Sequence, residues 1–90
     1  MLKQLHVYFS GKVQGVGFRF TAHSMAQDLG VTGWVRNGES GNVEITAEAE
    51  EDVLLYFLKQ IHENFAGSIR ETKAEWGPAT GAFKDFAITR

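Results

Sequence analysis

The chain has 90 residues, enough for one domain with one modest core. Apolar residues make up 43% and charged residues 22%, the balance of an ordinary globular protein, and no apolar run approaches the ~20 residues of a membrane-spanning helix. The absence of cysteine excludes a disulfide framework, a thiolate nucleophile and a cysteine zinc site, and a net charge of −2 argues against a domain built to grip nucleic acid.

The first residues, Met1 to His6, lack the long apolar stretch of a signal peptide, so the expected location is cytoplasmic. Pro78 is the only proline, and no linker, repeat or low-complexity tract divides the chain. Residues 1–90 are expected to form a single domain.

Leu5, Val7, Phe9 and Val13 share one parity, and His6, Tyr8, Ser10 and Lys12 the other, the pattern of a half-buried first strand. Phe18, Ala22, Met25, Ala26 and Leu29 recur at helical spacing, and Gly30 suits the helix end. Val31 to Asn37 reads as a second strand. Asn37-Gly38-Glu39-Ser40-Gly41 has hairpin-turn chemistry, and Val43, Ile45 and Ala47 then alternate with Glu44, Thr46 and Glu48 in a third strand.

A second helix begins near Glu50, with Glu50, Glu51 and Asp52 where the helix dipole favours acids. Its apolar stripe is Leu54, Phe57, Leu58, Ile61 and Phe65, and Gly67 is the expected stop. Ile69 to Trp76 alternates weakly, which suits a sheet edge. Phe83 to Arg90 can add a short last strand through Phe86 and Ile88. The order βαββαβ plus a final β predicts an α+β, ferredoxin-like split βαβ sandwich. Two helices would cover one face of an antiparallel sheet, with the other face toward water.

The stretch Gly11-Lys12-Val13-Gln14-Gly15-Val16-Gly17-Phe18-Arg19 stands out before the first helix. Helices usually open on Ser, Thr, Asp or Asn, with acids in the first turn. This one opens on glycine and places a cation there, which is unfavourable by ~0.3–1 kcal/mol without a compensating anion. A Walker A loop fails, because Gly17 is followed by Phe18 and Arg19 and not by Lys and Ser or Thr. A dinucleotide fingerprint fails because Phe20 stands where its third glycine belongs. Two readings remain. The glycines only make a tight turn with Arg19 reaching into water, or the free amides and the Arg19 fork together cradle a small oxyanion. Asn37 ends the second strand on the same sheet edge and shares parity with Val31 and Val35. It could face Arg19 and orient a water, or it could serve only as the Asn of an Asn-Gly turn.

With Gly33-Trp34-Val35-Arg36-Asn37 and Gly41-Asn42-Val43-Glu44, that stretch resembles the acylphosphatases over essentially the whole chain. The segment Phe20-Thr21-Ala22-His23-Ser24 is less basic than expected of the family. The resemblance implies hydrolysis of the carboxyl–phosphate bond of small acylphosphates, without metal or cofactor, releasing inorganic phosphate. It implies that Arg19 and the backbone amides of Gly15, Val16, Gly17, Phe18 and Arg19 bind the phosphoryl group, and that Asn37 positions the attacking water. Neither nucleic acid nor membrane is an expected partner, and a monomer is expected. The chain is also similar to the N-terminal part of the much longer hydrogenase-maturation carbamoyltransferases.

Other residue types point elsewhere only weakly. His6, His23 and His62 lie far apart and make no i, i+4 ligand pair. Glu50, Glu51 and Asp52 read as a solvated helix start, Trp34 and Trp76 as packing residues, and Lys12 and Arg36 as surface charge. RNA binding on the open sheet face would need stacking aromatics on the central strand. The expected exposed residues there are Glu44, Thr46 and Glu48, whose acids repel phosphate. A sensor that binds phosphate without turnover is the alternative to a hydrolase.

Overall fold

The computed structural model describes residues 1–89. Its elements are β1 (Leu2–Gly11), α1 (Phe18–Leu29), β2 (Thr32–Asn37), β3 (Val43–Glu50), α2 (Glu51–Asn64), β4 (Ile69–Pro78) and β5 (Phe86–Thr89). They form one five-stranded sheet in the order β4-β1-β3-β2-β5. The pairs from β4 through β2 are antiparallel, and the short β5 joins β2 in parallel. The weakly alternating β4 lies at an edge, as expected. Within the last expected strand, Phe83 to Arg90, only Phe86–Thr89 is strand, and Arg90 lies outside the described residues.

Both helices pack on the face carrying Leu5, Val7, Phe9, Val35, Val43 and Ile45, which are buried with Phe18, Leu54, Phe57 and Ile61. The alternating strands and the helical stripes are therefore two halves of one core. Phe18, the first residue of α1, is buried with its ring 5.1 Å from that of Phe9 and 4.6 Å from that of Phe65. Such pairs stabilise by about 0.5–1.5 kcal/mol beyond burial. Here they pin the start of α1 against β1.

Gly30 closes α1 in a left-handed conformation, φ 73°, as its sequence position suggests. Gly67 does not close α2. The helix stops at Asn64, and Phe65 caps it by donating its N–H to Ile61 O at 3.1 Å. The N–H groups of Ser68 and Ile69 turn back on Phe65 O at 2.9 and 3.0 Å. Anchoring of Phe65 against Phe18 ends the helix before the glycine is reached.

Nor is Asn37-Gly38 a two-residue hairpin turn. Asn37 is still paired with Val43, the loop spans 38–42, and Gly38 N–H donates to Asn42 O at 2.7 Å. The left-handed residue is Gly41, φ 83°. Gly33 has a different requirement: a Cβ there would lie 1.9 Å from Thr46 O, so only glycine lets β2 approach β3 so closely.

The open face departs most from expectation. Glu44, Thr46 and Glu48 do point away from the helices, yet all three are buried. β3 is the central strand, and long side chains from both neighbours close over it. Glu44 accepts from Arg36 Nε at 2.9 Å and contacts His6 Nε2 at 2.6 Å. The Arg36 guanidinium lies 4.8 Å above the Trp34 ring, so both belong to this packed layer. Glu48 accepts from Gln4 Nε2 at 2.8 Å, from the N–H and Oγ of Thr80 at 2.8 and 2.9 Å, and from Gly81 N–H at 3.0 Å. It thereby ties the β4–β5 connection across the sheet.

Candidate active site

The glycine loop joins β1 to α1 at one end of the sheet. Gly15 and Gly17 both take φ 78°, a left-handed conformation that side chains disfavour by roughly 1–2 kcal/mol. Gly17 is the N-cap of α1 with no side-chain cap, and the first turn holds no acid. The first helical bond runs from Thr21 N–H to Gly17 O at 3.0 Å. The amides of Phe18, Arg19 and Phe20 therefore precede the helical ladder, at the positive end of the dipole.

Beside that helix start lies a pocket of ≈ 240 Å³ lined by Val13, Gly15, Gly17, Phe18, Arg19, Phe20, Asn37 and Ile88. Arg19 and Asn37, 18 positions apart in the chain, thus share one cavity with the glycine turn. Arg19 is half-buried, and the acids that form ion pairs among the described residues are Glu44, Glu50 and Glu51, none of them with Arg19. Asn37 Oδ1 is buried without a hydrogen-bond partner among the described residues, so the amide is not committed to holding the fold. Val16 sits in the loop between two lining glycines, half its surface exposed.

A larger hollow of ≈ 440 Å³ lies on the other sheet face beside Tyr8, Arg36 and Glu44. Its cation, Arg36, is already paired with its carboxylate, Glu44, whereas Arg19 in the smaller pocket has no such pair among the described residues. Burial alone would push the Glu44 carboxyl up. The hydrogen bonds from Arg36 and His6, with the Arg36 charge, outweigh that and hold it below its ordinary value. Among the described residues, no group of three or more His, Asp or Glu is placed to hold a metal ion. His62 bonds Thr72 Oγ1 at 2.8 Å, and His23 packs near Phe86.

Gln14 is a residue the sequence reading passed over. Its Nε2 donates to Gly38 O at 3.1 Å and to Asn42 O at 2.9 Å, stapling the glycine loop to the hairpin that follows Asn37. The available signal was a long amide among glycines. Lys12 contributes through its backbone, donating N–H to Ser68 O at 2.8 Å, and its side chain has no part in the lining. Ile88 reaches the pocket from the far end of the chain because β5 sets it beside Val35.

The family model for acylphosphatase matches residues 5–88. The chain belongs to the acylphosphatase family. An acylphosphatase from Methanospirillum hungatei is 45% identical over 69 residues, covering 77% of this chain and 76% of its own. One from Marinobacter nauticus is 42% identical over 89 residues, covering 98% of this chain and 97% of its own. The crystal structure of an acylphosphatase from Bacillus subtilis superposes with a TM-score of 0.90 at 31% identity, over 100% of both chains. Family membership agrees with the element order and with the resemblance first carried by Gly11 to Arg19.

Proposed function

We propose that this chain hydrolyses small acylphosphates to a carboxylate and inorganic phosphate, using Arg19, Asn37 and the backbone amides of the glycine loop. The observation that carries this reading is the convergence of an uncapped helix start, an arginine without a carboxylate partner and an uncommitted amide on one pocket.

Arg19 grips two oxygens of the phosphoryl group through its planar fork. The amides of Gly15, Val16, Gly17, Phe18 and Arg19 take the remaining negative charge, which the helix dipole also favours. Asn37 holds a water in line with the bond to the acyl oxygen. The water oxygen forms a bond to phosphorus as the phosphorus–acyl oxygen bond breaks. The leaving carboxylate keeps that electron pair and needs no proton, and both water protons end on the phosphate as H₂PO₄⁻. The transition state is loose, so positioning and charge stabilisation carry most of the catalysis. This chemistry asks for no general acid, metal or cofactor.

The test follows the ultraviolet absorbance of benzoyl phosphate with wild type, Arg19→Ala and Arg19→Lys, each with EDTA. Wild type turns over in chelator. Arg19→Ala loses about 10³–10⁵-fold, the scale of a transition-state arginine, and Arg19→Lys recovers little of it because a point charge cannot replace the fork. Arg19→Ala at the wild-type rate overturns the assignment. A folded wild type without turnover overturns the hydrolase reading and favours the phosphate sensor.

A further inference from the structure

Three large apolar side chains stand exposed at the glycine loop and its pocket. Phe20 is 74% exposed, Val16 47% and Ile88 40%. Phe20 occupies a position of α1 outside the buried stripe of Phe18, Ala22 and Ala26, where an amphipathic helix ordinarily carries a polar residue. A single exposed apolar residue is unremarkable, but a group beside a pocket that also holds Arg19 and Asn37 marks a binding surface. Phe20 and Ile88 both line the pocket, from opposite ends of the chain.

The pocket also has room to spare. A phosphoryl group has only four non-hydrogen atoms, small beside a pocket of ≈ 240 Å³. With the phosphorus seated on Arg19 and the loop amides, the acyl group extends toward solvent, where Phe20 and Ile88 are the exposed apolar lining residues.

We infer that Phe20 and Ile88 form an acyl subsite that selects aromatic or bulky apolar acyl groups over acetyl or carbamoyl ones. This rests on the hydrolase reading above. Covering an exposed ring with an apolar acyl group removes both from water, and a benzoyl ring can also stack on Phe20. An acetyl group covers little of it, and a carbamoyl group brings a polar amide that gains nothing there.

The experiment compares kcat/KM for benzoyl phosphate and acetyl phosphate in wild type, Phe20→Ala and Phe20→Leu, with inhibition by inorganic phosphate as a control. Wild type favours benzoyl phosphate. Phe20→Ala lowers the benzoyl-to-acetyl ratio about five- to tenfold, the scale of one aromatic pair. Phe20→Leu lowers it less, and the phosphate inhibition constant stays within about twofold. The inference is overturned if wild type shows no preference, if both substrates fall together in Phe20→Ala, or if phosphate inhibition weakens in step. Each of these leaves the hydrolase reading standing. Wild type inactive on both substrates removes that reading first, and the subsite with it.

Discussion

Removing the Asn37 amide separates its two possible roles, because they change stability in opposite directions. If Asn37 were a turn residue, Asn37→Ala would destabilise the β2–β3 hairpin. Its backbone, however, has no positive φ, and the loop closes through Gly38, Gly41 and Asn42. Its Oδ1 is buried without a partner among the described residues, and an unsatisfied buried acceptor costs about 1–3 kcal/mol. Truncation removes that acceptor together with part of a half-buried side chain. The expected net change lies between zero and a gain of ~1 kcal/mol, which for a domain of this size raises Tm by up to about 4–8 °C. Activity moves the other way. Losing one transition-state contact of this kind lowers kcat by about 10²–10³, or ~2.7–4 kcal/mol. Thermal unfolding by circular dichroism, with kcat on benzoyl phosphate for the same preparations, gives both numbers. A fall in Tm beyond about 4 °C, or a kcat within tenfold of wild type, would refute the reasoning and return Asn37 to the turn.

Gln14→Ala breaks two exposed hydrogen bonds that join the glycine loop to the Asn37 hairpin. It should lower Tm by roughly 4–8 °C and kcat/KM by about tenfold, because the loop amides and Asn37 lose register. Unchanged kinetics beside a lower Tm would leave Gln14 with a structural role alone. Acid should destabilise the protein through Glu44 and Glu48. Burial pushes each carboxyl up, but their hydrogen bonds more than compensate, and both end below their ordinary value of 4.5. On acidification the unfolded chain therefore takes up these protons first. The stabilisation is fully present above pH 4.5 and is lost as pH falls through the lower native values. The difference in Tm between pH 7 and pH 3 should shrink in Glu44→Gln/Glu48→Gln, and an equal difference would place the acid sensitivity elsewhere.

Much of this protein is legible in one dimension. Strand parity in Leu5, Val7 and Phe9, the helical stripe from Phe18 to Leu29, and Gly30 at its end are local patterns read against fixed periods. The chemistry of the glycine loop is local too, since an uncapped helix start and an adjacent Arg19 are visible in five residues. What closes α2, which residue bends the β2–β3 loop and what covers Glu44 and Glu48 depend on contacts between distant segments. Phe65 stops its helix by packing on Phe18, and Glu48 is buried by Thr80 and Gly81. The mouth of the pocket belongs to the same class. Ile88 lines it because the last strand pairs in parallel with β2, and no pattern within residues 83–90 specifies that partner. Periodicity records which face of an element is buried, and only the tertiary fold decides what it is buried against.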